Sequence, residues 1–151
     1  MTHARPSAAQ LEEYARRVPF NRWLDLRVLE ANETGVELLV PWREELGGAL
    51  ETGHVHGGVL ACLVDIAVGL GTMAAAGHGG PSVDLRSDFM RGAVAGPLRA
   101  TGRVQRAGRT LVFVDVAIRD ASGETVATGR GVSYVGSSRQ FRPAGDAAKP
   151  G

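Results

Sequence analysis

Residues 57–77 read GGVLACLVDIAVGLGTMAAAG. Across these 21 residues the only ionisable side chains are Asp65 and the chain's single cysteine, Cys62. The stretch predicts one long helix that is apolar on every side, so the rest of the chain must wrap it. A carboxylate inside such a helix is costly to bury, which marks Asp65 as a residue with a chemical task. The length also suits a membrane span, since about 20 apolar residues cross a bilayer. The charge, the interrupting glycines and the strand-like pattern downstream argue against that reading, and no membrane association is expected.

Upstream, SAAQLEEYARRV (Ser7 to Val18) opens with a candidate N-cap serine and sets Leu11, Tyr14, Ala15 and Val18 at helical spacing. A short amphipathic helix is predicted there, ending before Pro19. LRVLEANETGVELLVPW then reads as two extended segments about an Asn-Glu-Thr-Gly turn, a hairpin. The glycine-rich LGGALETGHVHGG leads into the long helix, which is predicted to stop near Gly77. After Pro81 come four strand-like runs: Ser82 to Met90, Leu98 to Gln105, Thr110 to Arg119 and Thr125 to Val135. The third does not alternate cleanly around Leu111 and Phe113, the pattern of a strand covered on both faces. GSSRQFRPAGDAAKPG at the C-terminus has the composition of a loose tail. The expected organisation is therefore an N-terminal helical segment over 1–19, one domain over 20–136, and a flexible tail over 137–151. Only an antiparallel sheet is available to wrap the long helix, which predicts an α+β hotdog fold.

The charges exclude some functions. The chain has 151 residues with 17 basic and 16 acidic side chains scattered along it, so no nucleic-acid partner is expected. One cysteine allows no intrachain disulfide, which fits a reducing, cytoplasmic setting, and the polar N-terminus predicts no secretory signal. His54 and His56 have no Cys or acidic ligand to complete a metal set. Neither a metal nor a cofactor is expected.

Two stretches carry a family resemblance. Gly53-His54-Val55-His56-Gly57-Gly58, followed by Leu63-Val64-Asp65-Ile66-Ala67, resembles the G-x-x-H-G-G-x-x-x-x-L-x-D-x-A signature of hotdog acyl-CoA thioesterases. The type it resembles is the phenylacetate-degradation (PaaI-like) and 4-hydroxybenzoyl-CoA thioesterase group. Ser82-Val83-Asp84-Leu85, Phe89-Met90-Arg91, Gly108-Arg109-Thr110-Leu111 and Ala127-Thr128-Gly129-Arg130-Gly131 are similar to that family's later strands. The likeness runs from about residue 20 to 136, and it implies hydrolysis of an acyl-CoA to free acid and coenzyme A.

The residues support that chemistry. No Ser, Thr, Asp or Asn immediately precedes the first turn at His56-Gly57-Gly58, so the first amides of the helix are expected to be free, at the positive end of its dipole. Such amides suit a thioester oxygen that gains charge under attack, and glycine at 57 and 58 admits close approach. Asp65 lies eight residues after Gly57, about 12 Å along a helix. The two reach one carbonyl only from different subunits, with their helices antiparallel. The resemblance implies that homodimer, with two sites by symmetry, and a dimer of dimers is expected beyond it. Asp65 can act as general base or as nucleophile. Ser82 matches the family serine that holds the water or the carboxylate, and His56 the family histidine before the glycines. Leu50 stands where the family often has an Asn that helps bind the carbonyl or water. Arg91, Arg106 and Arg109 are the candidates for the coenzyme A phosphates. Trp23, Trp42, Leu50, Met73 and Phe89 are the side chains expected to set pocket size. Two other functions stay open: a hydratase or dehydratase of 3-hydroxyacyl thioesters, which relies on a histidine paired with a carboxylate, and a non-catalytic acyl-CoA sensor.

Overall fold

Six antiparallel strands curl around a single long helix, in the order β1-β2-β4-β5-β6-β3. This computed structural model describes residues 5–49 and 51–136. Leu50 and the 137–151 tail lie outside the described residues. The strands are β1 (Arg27–Asn32), β2 (Gly35–Val40), β3 (Ser82–Phe89), β4 (Leu98–Ala107), β5 (Leu111–Arg119) and β6 (Thr125–Tyr134). The long helix is α3 (Gly57–Ala76), and two shorter ones precede the sheet, α1 (Ala8–Arg17) and α2 (Pro19–Trp23). The α+β hotdog arrangement follows from the need to cover α3, whose Leu60, Leu63, Val64, Ala67, Val68 and Leu70 are all buried.

The local signals account for most element ends. Ser7 caps α1 through its side chain, which accepts from the Gln10 N–H, while the Gln10 side chain accepts from the Ser7 N–H. Leu11 and Ala15 carry α1 into the common core. α1 ends at Arg17, before Pro19 as predicted, and Pro19 then opens a further helix, α2, at the first helical position, where its missing N–H costs nothing. Gly77 ends α3 with φ +76°, a conformation that favours glycine. By length and hydropathy α3 is long enough to cross a membrane, but 56 % of its most apolar window is buried inside this chain.

The seam between α3 and β6 sets the depth of packing. A Cβ on Gly129 would lie 2.5 Å from Val64 Cγ1, and one on Gly131 would lie 2.6 Å from Val68 Cγ2. Val64 and Val68 are one helical turn apart, and Gly129 and Gly131 are alternate residues on one face of a strand. Helix and strand therefore run alongside each other, with valine knobs seated on glycine. β5 also departs from expectation. Its Val112, Val114, Val116 and Ile118 are buried against the helix side while the residues between them are half-buried, a regular alternation. Leu111 and Phe113 masked it in the sequence by placing apolar side chains on the outer face.

Candidate active site

Asp65 lies midway along α3 on the helix face that the sheet does not cover, and its side chain is exposed in the single chain. The sequence implied a carboxylate sealed in an apolar environment. The wrap of the sheet is instead incomplete on this side, and Asp65 opens into a cleft of about 830 Å³. Ser82, at the start of β3, donates from Oγ to Asp65 Oδ1 at 2.7 Å. The second carboxylate oxygen makes no hydrogen bond among the described residues. Ser82 and Asp65, 17 residues apart in the chain, are thus brought together.

The other polar end of α3 differs from the sequence expectation. His56 is the N-cap: the Gly58 N–H donates to its Nδ1 at 2.9 Å. A ring nitrogen accepts only when it carries no proton, so this bond calls for the tautomer with its proton on Nε2. The first turn is therefore not wholly open. The Gly57 N–H remains without an acceptor among the described residues. It sits beside Phe89, whose ring would lie 3.7 Å from a Cβ on Gly57. His56 and Asp65 form no pair, since one is bonded to Gly58 and the other to Ser82.

The three candidate arginines do not converge within the chain. Arg91 follows β3 and pairs with Glu124 at 3.1 Å, at the sheet end where β6 begins. Arg106, in β4, and Arg109, in the β4–β5 turn, are exposed at the other end, where β6 finishes. The ten residues of β6 separate those ends by roughly 30 Å. Ser82 belongs to the end of Arg106 and Arg109, whereas Phe89 and Gly57 belong to the end of Arg91.

The cleft is built largely from residues that the sequence did not single out. Its floor is one face of α3, including Ala61, Cys62, Ile66, Gly69 and Met73; Ser82 and Leu85 form one side and Tyr14, Val18, Phe20 and Asn21 the other. Of the side chains expected to set pocket size, Met73 lines the cleft. Phe89 lies against Gly57, and Trp23 stacks on Phe20 at 5.9 Å while Arg43 covers its ring at 4.1 Å. Trp42 sits by Gly47, away from the cleft, and Leu50 lies outside the described residues. Burial pushes the Tyr14 phenol above its ordinary value, so its hydroxyl stays protonated at neutral pH. Helical spacing placed Tyr14 on the inner face of α1, but no pattern in the sequence shows that this face meets the flank of Asp65.

The sequence profile of the thioesterase superfamily matches residues 52–127, from the approach to α3 into β6. A Halobacterium salinarum protein that carries a provisional esterase name is 30% identical over 136 residues, covering 83% of this chain and 89% of its own. Among solved structures, a structural-genomics target described as from the thioesterase superfamily is 38% identical with a TM-score of 0.80, covering 84% of this chain and 96% of that one. Zebra fish thioesterase superfamily member 2 is 28% identical with a TM-score of 0.77, covering 87% and 99%.

Proposed function

Because the chain belongs to the thioesterase superfamily, we propose that it is a cytoplasmic acyl-CoA thioesterase of the phenylacetate-degradation (PaaI-like) type. It releases free acid and coenzyme A from an aryl or medium-chain acyl thioester. The observation that carries this reading is the Ser82–Asp65 hydrogen bond at the wall of an apolar cleft. A carboxylate with one oxygen hydrogen-bonded and the other without a partner among the described residues is suited to accept a proton from water.

In the mechanism, Asp65 takes that proton while the water oxygen bonds to the thioester carbon. Negative charge moves to the carbonyl oxygen, where the Gly57 N–H at the positive end of α3 stabilises it. Collapse of the tetrahedral intermediate breaks the carbon–sulfur bond, and the leaving thiolate recovers the proton from Asp65. His56 keeps the first turn of α3 rigid and presents Nε2–H beside it.

Gly57 and Asp65 of one chain stand about 12 Å apart along α3, too far for a single carbonyl. The oxyanion donor is therefore Gly57 of the partner subunit in a two-fold homodimer, itself one half of a dimer of dimers. Support comes from β3, a sheet edge whose Val83 and Phe89 are both 57% exposed. The same symmetry reconciles the arginines. Arg91 accompanies the Gly57 end of one chain and Arg106 and Arg109 the Ser82 end of the other, so all three can meet one coenzyme A.

The test is free-thiol release from phenylacetyl-, benzoyl- and straight-chain acyl-CoAs by the native protein and Asp65→Asn. Turnover by the native protein, reduced about 100- to 10,000-fold in a folded variant, is expected for loss of a general base. Failure of the native protein to release thiol from any of these thioesters overturns the reading.

A further inference from the structure

Asp65 stands on α3 and Ser82 on β3, so their 2.7 Å hydrogen bond holds only while helix and sheet keep one relative position. β3 enters the sheet on β6, where the Tyr134 N–H donates to the Pro81 carbonyl at 2.9 Å and Ser82 pairs with Ser133. Along Gly129 and Gly131 the helix is keyed to β6 by Val64 and Val68. One turn further on, that keying is not continued by hydrogen bonds. Thr72 and Ser133 are both fully buried there, and their hydroxyls have no partner among the described residues. His78 makes the link instead. Its Nδ1 lies 3.0 Å from the carbonyl oxygen of Ala76, the last residue of α3, and its Nε2 lies 3.4 Å from that of Val135, just past β6. Only Gly79, Gly80 and Pro81 then intervene before Ser82. Gly79 and Gly80 line the cleft, and a Cβ on Gly80 would sit 1.7 Å from the Tyr134 carbonyl oxygen.

We propose that His78 is a positioning residue for thioester hydrolysis: it brackets the end of α3 against the end of β6 and so holds Ser82 on Asp65. This rests on the thioesterase reading above. Carbonyl oxygens only accept, so the ring is the donor in each bond that it makes. A neutral imidazole makes one of the two and an imidazolium makes both, and in either form the ring fills the space between helix end and strand end. Its Ala76 partner is one of the last carbonyls of α3, which have no acceptor role left inside the helix. Without the ring, two consecutive glycines leave the approach to Ser82 wide conformational freedom. A shift of that approach moves the Ser82 hydroxyl off the carboxylate while the floor of the cleft, which is α3 itself, stays in place. His78 therefore acts on kcat through Ser82 and leaves substrate binding to the cleft.

The test is a double-mutant cycle on thiol release, with the native protein, His78→Ala, Ser82→Ala and the double variant. His78→Ala is expected to lower kcat roughly 3- to 10-fold, the value of one neutral hydrogen bond, with KM unchanged. In the Ser82→Ala background the same substitution is expected to leave kcat where it is, because the contact it protects is already gone. His78→Gln, whose amide nitrogen carries two N–H donors, is expected to recover most of the loss. His78→Phe keeps the volume of the ring without its donors and serves if the alanine variant does not fold. Crystal structures of the native protein and the variant supply a readout independent of turnover: the Ser82 Oγ–Asp65 Oδ1 separation is expected to open past about 3.5 Å. An equal loss of kcat in both backgrounds overturns the inference and makes His78 a stability residue only. A folded variant with native kcat, a glutamine variant as slow as the alanine one, or an unchanged Ser82–Asp65 separation overturns it as well. No thiol release by the native protein from any thioester overturns the hydrolase reading instead, and the separation in the two crystal structures then still scores His78.

Discussion

Three residues of the candidate site use hydrogen bonds in different ways, and each use predicts a different variant. Ser82 spends its hydroxyl on Asp65. Ser82→Ala is expected to lower kcat about 10- to 100-fold, the value of a hydrogen bond to a charged group, with little change in KM. Gly57 keeps an N–H unpaired among the described residues, at the first position of α3, where proline is well tolerated. His56 before it has φ −64° and ψ 132°, the extended conformation that a following proline demands. Gly57→Pro therefore removes one donor and leaves the helix, and a loss of about 100- to 1,000-fold in kcat is expected. Circular dichroism and thiol release on the same sample check both halves. Asp120 acts on stability. Burial works to raise its carboxyl, but hydrogen bonds from the Ser122 hydroxyl and the Val94, Ser122 and Glu124 amides outweigh it and hold it below the ordinary range. A carboxyl lowered by folding adds stability above its unfolded value, and that stability is lost as pH falls through its folded value. Asp120→Ala is expected to cost about 1 to 3 kcal/mol at pH 7 in urea unfolding, with the gap to the native protein closing below about pH 4.

At the scale of elements, the α3–β6 seam carries the most specific demand. The three atoms nearest to a Cβ on Gly131 all belong to side chains, Val68 and Leu85. Gly131→Ala is expected to destabilise the fold by about 1 to 3 kcal/mol through overpacking, and Val68→Ala in the same chain to recover part of that loss. A double-mutant cycle of melting temperatures measures the coupling, and additive effects would show that the two residues do not compete for space. Helices and strands were largely legible in the sequence because capping, turn and periodicity signals are local. Ser7 and Gly77 mark α1 and α3 as the sequence implied, and the four strands after Pro81 lie within a few residues of their predicted bounds. α2 was not legible, because Pro19 looks the same whether it stops one helix or starts the next.

For the whole molecule, the proposed site spans two chains, and that division can be tested by mixing. In the proposed homodimer, Asp65→Asn and Gly57→Pro each remove one half of every site. A mixed dimer rebuilds one native site and leaves the other doubly altered, so random reassociation of equal amounts restores about a quarter of native activity. No recovery in a mixture shown to contain mixed dimers would place both halves of the site within one chain. The sequence by itself determined that one helix must be wrapped by a sheet, and it singled out Asp65 and the glycines at the helix start as candidates for the chemistry. Those conclusions need only residue identity and spacing along a single element. Tertiary structure decided which face of α3 stays uncovered, that Ser82 reaches Asp65, that His56 caps its own helix, and that Tyr14, Phe20 and Asn21 wall the cleft. It also separated Arg91 from Arg106 and Arg109 by the length of the sheet. Each of these depends on how elements distant in the chain pack and register, and periodicity within one element carries no record of its neighbours.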